Sequence, residues 1–182
     1  TEPRPTLRLW SSVGIGTSFL TGELQDNRIE RYAQLLSNFT NKETEWFVLA
    51  RQFDSLAALQ SIPGLDTNTQ DEFEVLSFQL QAQSLTKLLQ SINDAEGVDH
   101  RVQALPFVLP SLMLQLIEPS VDSTVRDETL NTIVPPLVDF VAYAANNSPG
   151  EEDTFVHGSY GGAAHAASLL ISRSLGTDED VQ

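Results

Sequence analysis

The sequence predicts a mainly α-helical protein, a compact helical bundle of about six helices, from three observations. Apolar residues recur at helical spacing along most of the chain, two capping boxes begin predicted helices, and one apolar run suits a central position. That run spans residues 102–117, VQALPFVLPSLMLQLI, and its polar side chains share one side of a helix: Gln103, Ser111 and Gln115. A helix that is apolar on its other sides is normally buried on them, so we predict that this run is the central core helix.

Length and composition indicate one globular domain without a membrane span. The 182 residues are 41% hydrophobic and 19% charged, which is ordinary for a folded protein, so we treat residues 1–182 as a single helical domain. The central run is shorter than the roughly 20 apolar residues that cross a bilayer, and prolines interrupt it. Because the chain has no cysteine, it has no disulfides, thiolate metal sites or thiol catalysis.

The sequence does not specify a cellular compartment. Chains without cysteine occur both inside and outside cells, so localisation stays open beyond the expectation of a soluble protein. The chain starts at Thr1 rather than Met, and we therefore expect a processed mature chain or a trimmed one. Two glycosylation sequons occur, at Asn38 and Asn146, and they matter only if the protein is secreted by a eukaryote.

The charge of the chain is high and unevenly distributed. The net charge is −15; residues 1–51 hold six basic and six acidic side chains, whereas residues 52–182 hold four basic and nineteen acidic ones. Such a surface repels nucleic-acid phosphates and anionic lipid, so we expect no nucleic-acid partner. It favours solubility and basic partners, although a solvated acidic surface without any partner is the plainer interpretation.

The N-terminal residues 1–25 are predicted to form an arm. Residues 1–6 are rich in proline, and apolar residues then alternate at 7–9 and 13–16 with two serines between these stretches. This pattern is typical of a short β-hairpin or of an extended arm that lies across the helices. Gly14 and Gly16 do not belong to a phosphate-binding loop, because no Lys-Ser or Lys-Thr pair follows them.

The next segments predict three helices with apolar stripes. The first begins near Asp26; a capping box at residues 40–43 starts the second, which ends at residues 62–64. A second box, at residues 69–72, starts a helix that runs to about Ile92. The three stripes are Ile29, Tyr32, Ala33 and Leu36; Trp46, Leu49, Ala50, Phe53 and Ala57; and Val75, Phe78, Ala82, Leu85, Leu89 and Ile92.

The C-terminal half predicts further helices, interrupted by prolines. A start or kink is expected at Pro106–Pro110, with regular helix from there to Ile117. Residues 122–145 predict two helices in line or one kinked helix, because their apolar residues stay in helical phase across Pro135 and Pro136. The segment 146–159 has no regular pattern, and the last helix is expected to begin at residues 160–162. The acidic tail 177–182 is expected to be disordered.

Side chains capable of chemistry gather in the segment Glu151–His165. Asp153, His157 and His165 are the types that bind divalent metals, although the two histidines are eight residues apart rather than four. The sequence His-Gly-Ser-Tyr-Gly at 157–161 differs from the Gly-x-Ser-x-Gly nucleophile elbow at its first position. No catalytic residue is therefore assigned, and no cofactor is predicted.

The same segment favours a structural interpretation based on small residues. Gly158, Gly162 and Ala166 recur every four residues, as do Ala163 and Ala167. Small side chains on one face allow another backbone to approach closely, so we predict a tight helix crossing within the domain or between subunits. On this interpretation, Gly162→Leu disrupts folding or assembly.

The sequence favours a non-enzymatic helical interaction or self-assembly protein with an acidic surface. Its partner would be itself, as a homo-oligomer, or another protein, basic in character. The alternative is an enzyme or a protein that binds a small ligand or a metal, with a site under the Glu151–His165 loop against the kinked Pro106–Pro110 region. A helical coat or nucleic-acid packaging protein fits the size but not the net charge.

Overall fold

The computed structural model describes residues 4–22, 26–106, 108–110, 112, 123–150 and 154–175. The mainly α-helical fold is confirmed, and no strand occurs within these ranges. The α-helices are α1 (Pro5–Leu20), α2 (Asp26–Lys42), α3 (Trp46–Ala57), α4 (Thr67–Asn93), α5 (Ser123–Asn147) and α6 (Thr154–Leu175). One short 3₁₀ helix follows α3 (Ala58–Ser61), and another includes the start of the central run (His100–Ala104). Residues 105, 106, 108–110 and 112 are also helical.

Two hydrophobic clusters lie on either side of α3 and α4. The large cluster joins α4, α5 and α6 with residues 102–112 of the central run, and the small cluster joins α1 and α2 with the end of α3. Helices α3 and α4 supply residues to both clusters, because Phe53 and Phe78 belong to the large one while Leu56 and Leu80 belong to the small one. These two helices are therefore the middle layer of the fold.

Buried polar side chains link the helices around this middle layer. Gln52 of α3 donates to the Ser12 hydroxyl of α1 at 3.2 Å, and its carbonyl oxygen lies 3.4 Å from the Thr40 hydroxyl of α2. On α4, Ser77 donates to the carbonyl oxygen of Leu56 at 2.6 Å and accepts from Gln81 at 3.0 Å. Because buried polar groups are costly without partners, these bonds fix how α1 and α2 sit on α3 and α4.

The prediction of an N-terminal hairpin or extended arm is wrong, because residues 5–20 form helix α1. Pro5 occupies the first turn, where the missing amide donor costs nothing. The buried residues of α1 are Ser12, Gly16 and Phe19, so two of the three positions that face α3 are not apolar. This composition hides the helical period from a search for apolar stripes.

Both predicted capping boxes differ from the caps in the structure. Thr40 lies near the end of α2, where its hydroxyl donates to the carbonyl oxygen of Leu36 at 3.0 Å, so it does not begin α3. The N-cap of α4 is Asp66, whose carboxylate accepts from the backbone N–H of Thr69 at 3.1 Å, three residues before the predicted cap. The end of α4, in contrast, falls at Asn93, next to the predicted Ile92.

Helix α5 closely matches its predicted range, whereas α6 is longer than the sequence pattern predicts. Pro135 and Pro136 lie inside α5, so this region forms one helix rather than two helices in line. Helix α6 begins at Thr154, six residues before Tyr160. It includes Gly158 of the segment that was predicted to be irregular, as well as Gly161 and Gly162. Burial compensates for the helix cost of glycine, about 1 kcal/mol each, since one face of α6 is packed in the large cluster: Val156, Tyr160, Ala163, Ala167 and Leu170.

Some predictions concern residues outside the described ranges. These are the end of the central helix at Ile117, residues 23–25 of the predicted arm, and the acidic tail 177–182. No helix within the described part of the chain is long and apolar enough to cross a membrane.

Candidate functional site

The structure places His157 and His165 on the same helix but not at the same site. Both are exposed on α6, and eight residues correspond to an axial rise of about 12 Å. Two imidazole ligands of one ion lie much closer, because each metal–nitrogen bond is about 2 Å. Helix α6 therefore keeps the two histidines from a common ion. Asp153 lies outside the described residues, and a site that it forms with either histidine stays a prediction.

His157 and Ser159 are engaged in local contacts. The Nδ1 atom of His157 lies 2.8 Å from the carbonyl oxygen of Pro149 and 3.3 Å from the Ser148 hydroxyl, which links the start of α6 to the end of α5. The Ser159 hydroxyl donates to the carbonyl oxygen of Phe155 at 3.0 Å. Among the described residues, no group of three or more His, Cys, Asp or Glu side chains is arranged to hold a metal.

The small residues of α6 divide between a packed face and an open face. Ala163 and Ala167 are fully buried in the large cluster, and Ala166 is partly buried against it. Gly158 and Gly162 are exposed, and a Cβ added at either position would meet nothing within 4 Å. Within one chain, the larger side chain of Gly162→Leu would therefore enter open space. Packing of the glycine face against another subunit stays a prediction.

An apolar pocket lies between α1, α3 and the central run. Its volume is about 520 Å³, within the 300–1,000 Å³ range of ligand sites. Apolar side chains form most of its lining: Leu9 from α1; Trp46, Phe47, Ala50 and Phe53 from α3; and Ala104 and Val108 from the central run. Arg51, Asp54 and Gln103 add polar groups. These groups can orient a bound molecule whose body is apolar.

The start of α3 explains why the pocket is lined by aromatic rings. Trp46 is the first residue of this helix, and its ring meets that of Phe47 edge to face, with centroids 5.9 Å apart. Leu49 and Phe53, which belong to the same predicted stripe, are buried in the interior. The stripe therefore passes from the core to the surface, where Trp46 is 37% exposed.

The pocket agrees only partly with the predicted position of a cavity. The sequence suggested a site between the Pro106–Pro110 region and the Glu151–His165 loop. Val108 of the Pro106–Pro110 region does line the pocket, together with Gln103 and Ala104, but the other lining residues come from α1 and α3. The aromatic and charged residues of α3 were missed as site residues, because the sequence shows them only as one side of an amphipathic helix. The sequence did contain one sign of the site, the two adjacent aromatic residues Trp46 and Phe47 at the start of this helix.

The charged residues of the pocket differ from Arg8 and Arg101, which form ion pairs elsewhere in the protein. Arg51 and Asp54 are both exposed, and neither takes part in an ion pair within the described ranges. Arg8, in contrast, contacts the Glu43 carboxylate at 2.7 and 2.9 Å, and Arg101 is bonded to Asp99. The rim of the pocket thus carries one cation and one anion that are available to a bound molecule.

Two large apolar side chains near the start of α1 are exposed. Leu7 is 57% exposed and Trp10 is 65% exposed, and both belong to the turn of α1 that contains Leu9. Residues three apart are neighbours on a helix surface, so Leu7 and Trp10 form one apolar projection. The pocket and this projection are two apolar features that the described fold leaves uncovered.

Two charged side chains near the end of α2 have structural roles. The carboxylate of Glu43 is buried, and burial by itself raises the pKa of this group. Hydrogen bonds from Arg8 and from the backbone N–H groups of Glu45 and Thr44 outweigh that effect and hold the pKa below its usual value of 4.5. Lys87 of α4 donates to the carbonyl oxygens of Thr40 and Asn41 at 2.8 Å, which caps the end of α2, and its burial lowers its pKa.

Two buried tyrosine side chains hold the turn between α4 and the central run. The Tyr160 hydroxyl accepts from the backbone N–H of Asp99 at 2.6 Å, and the Tyr143 hydroxyl donates to the carbonyl oxygen of Gly97 at 2.5 Å. The two rings are stacked with centroids 6.2 Å apart. Burial and the neighbouring Tyr160 hydroxyl raise the pKa of Tyr143 well above its usual range. These hydroxyl groups therefore hold the backbone of a turn.

Comparison of the chain with protein families, curated proteins and solved structures found no match. The function proposed below therefore rests on the pocket and on the residues at its rim. Of the described features, the pocket combines an open apolar volume with charges that have no ion-pair partner.

Proposed function

We propose that this protein is a non-enzymatic helical binding module, which holds a protein partner by taking the partner's apolar side chains into the pocket between α1 and α3. The observation that carries the proposal is the pocket itself, with its aromatic lining and its volume of about 520 Å³. Binding energy at protein interfaces is concentrated in a few anchors, and Trp and Arg are enriched among them. Trp46 and Arg51, at this pocket, are residues of that kind.

The charge of the protein limits what the partner is. Residues 52–182 carry the whole net charge of −15, so a second protein that touches much of this surface is favoured if it is basic. Residues 1–51, which supply most of the α1 and α3 walls, sum to zero. The pocket therefore accepts an uncharged apolar anchor, either from another protein or from a copy of this chain.

A selection from a displayed library of random peptides tests the proposal. We expect peptides with an aromatic or long aliphatic side chain to be enriched on the purified protein. Their binding should be lost with Trp46→Ala, which removes one of the aromatic rings that line the pocket. It should be retained with Phe155→Ala, the matched control, because Phe155 is exposed on α6 and does not line the pocket.

Two results of this selection would contradict the proposal. Either no peptide is enriched, or the enriched peptides bind both variants equally well. Circular dichroism of each variant checks that its fold is retained. Trp46 and Phe155 are 37% and 69% exposed, so we expect both substitutions to leave the helices intact.

A small apolar ligand is the second candidate, favoured by the size of the pocket. Native mass spectrometry of the protein, purified without chelator or affinity metal, separates the two functions. An organic adduct on the wild-type protein that is absent from Trp46→Ala would support the small ligand. A wild-type mass without such an adduct would leave the protein partner as the better proposal.

A further inference from the structure

We infer that the molecule taken up by the pocket is a second copy of this chain, so that Leu7 and Trp10 of each copy fill the pocket of the other in a two-fold dimer. The inference rests on the proposed function, because it names the partner that the same pocket binds. Three observations lead to it: the position of the apolar projection, the charges at the rim, and the neutral charge of the N-terminal third.

The projection and the pocket belong to the same turn of α1. Leu7 and Trp10 point away from the protein, with exposures of 57% and 65%, while Leu9, on another side of the same turn and beside Trp10 in the chain, lines the pocket. A two-fold dimer needs one patch that is complementary to itself, because each copy contributes the same surface. A patch that contains both an apolar projection and an apolar pocket meets this condition.

The charges at the rim of the pocket are also complementary to themselves. Arg51 and Asp54 lie three residues apart on α3, carry opposite charges, and form no ion pair with another described residue. A two-fold axis that passes between two copies of α3, perpendicular to the helix, makes the two copies of α3 antiparallel. Arg51 of each copy then lies beside Asp54 of the other, which gives two equivalent ion pairs and fixes the orientation.

The distribution of charge favours contact between copies through this part of the protein. Residues 52–182 carry the net charge of −15, so surfaces made from them repel each other when two copies meet. The projection, together with the α1 wall and most of the α3 wall, comes from residues 1–51, which sum to zero. Two copies therefore approach with the least repulsion through α1 and α3.

Sedimentation equilibrium over a wide range of protein concentration tests the dimer. We expect a reversible monomer–dimer equilibrium in the wild-type protein. Trp10→Ser should raise the dissociation constant about tenfold or more, because a large apolar anchor is lost from each half of the interface. Phe155→Ser, the matched control, should leave the constant unchanged, since it removes an equally exposed aromatic ring from α6.

A charge exchange on α3 tests the orientation of the two copies. Arg51→Asp and Asp54→Arg should each weaken the dimer, because each places like charges opposite one another at both ends of the contact. The double variant, which carries both substitutions, restores opposite charges and should recover the wild-type dissociation constant. If the double variant is as weak as either single variant, the two-fold arrangement is wrong.

The outcomes separate this inference from the proposed function. A protein that stays monomeric at every concentration overturns the dimer, and so does a dimer whose dissociation constant is unaffected by Trp10→Ser. In either case the proposed function still stands if selected peptides bind the wild-type protein and fail to bind Trp46→Ala. If those peptides do not depend on Trp46 either, both the dimer and the proposed function fail.

Discussion

Single residues determine how closely the helices approach, and Gly16 shows this most directly. A Cβ at Gly16 of α1 would lie 2.7 Å from the Cα atom of Ser55 on α3. Since that neighbour is backbone, only a shift of one helix relative to the other would relieve the overlap. Gly14, two residues earlier on the same helix, would meet nothing within 4 Å. The two glycines therefore provide a matched pair of substitution sites.

Gly16→Ala should lower the free energy of unfolding by about 1–3 kcal/mol, because overpacking separates α1 from α3. Gly14→Ala, the control, should raise it by about 0.5–1 kcal/mol, because alanine favours a helix over glycine. Urea denaturation followed by circular dichroism measures both changes. Equal effects of the two substitutions would show that α1 is not held against Ser55.

Glu43 is the buried acid whose charge the fold stabilises most clearly. Glu43→Gln should lower the free energy of unfolding at neutral pH by about 2 kcal/mol, since Arg8 and two backbone N–H groups lose a charged acceptor. Because the pKa of Glu43 is lowered in the folded protein, the stability that it contributes is present above its unfolded pKa. This contribution is lost as the pH falls through the lowered pKa.

The difference between wild-type protein and Glu43→Gln should therefore shrink in acid. Urea denaturation at neutral pH and at about pH 3 tests this expectation. A difference that stays constant over that range would mean that the charge of Glu43 does not contribute. A difference that grows in acid would give the wrong sign for a lowered pKa.

At the scale of whole elements, the turn after α4 depends on side chains from α5 and α6. Gly97 in this turn has a φ of 74°, which favours glycine, and its carbonyl oxygen accepts from Tyr143 of α5. Two residues later, the backbone N–H of Asp99 donates a hydrogen bond to the hydroxyl of Tyr160 on α6. The start of the central run, and with it one wall of the pocket, is thus positioned by two helices that do not line the pocket.

Tyr160→Phe should lower the free energy of unfolding by about 1–2 kcal/mol, because the N–H of Asp99 loses its acceptor while the ring stays packed. Hydrogen exchange should show faster exchange at this amide and at its neighbours in the turn. Tyr32→Phe on α2 is the control, and it should not change exchange in the turn. Unchanged protection at Asp99 in Tyr160→Phe would show that the hydroxyl does not hold this backbone.

At the scale of the whole molecule, the two hydrophobic clusters differ in size and in the helices that they join. The large cluster holds α4, α5 and α6 together with the central run, while α1 and α2 depend on the small cluster and on bonds between buried polar groups. Local opening costs less where fewer apolar contacts are lost. Helices α1 and α2 should therefore open before α4 and α5.

Native-state hydrogen exchange on the Trp10→Ser variant measures this difference, because the proposed dimer would otherwise protect α1. We expect amides of α1 and α2 to exchange with a lower free energy of opening than amides in the middle of α4 and α5. Equal opening free energies in all four helices would show that the two clusters unfold as one unit.

The sequence by itself predicted elements whose apolar residues follow the helical period. The stripe of α4 from Val75 to Ile92 predicted that helix, and its buried members lie in the large cluster as the spacing implies. The phase of apolar residues across Pro135 and Pro136 likewise predicted helical structure there, as two helices in line or one kinked helix, and the structure has the single helix α5. In these elements the apolar pattern is strong enough to specify the helix without knowledge of its neighbours.

Only the tertiary structure decided the form of α1 and the start of α6. Small and polar residues such as Ser12 and Gly16 face α3, so α1 shows no apolar stripe in the sequence. The glycines at the start of α6 disfavour a helix locally, and the burial of Tyr160 and Val156 compensates for them. Local sequence cannot report on such burial, because the neighbouring residues come from distant parts of the chain.

The pocket is the clearest example of what the sequence could not show. Its walls combine residues 9, 46–54 and 103–108, which are brought together only when α1, α3 and the central run pack. The sequence contains every residue of the lining, and it predicted the helix that presents Trp46 and Arg51. It does not contain the distances between these segments, because packing between helices, rather than local propensity, sets where two of them leave a gap.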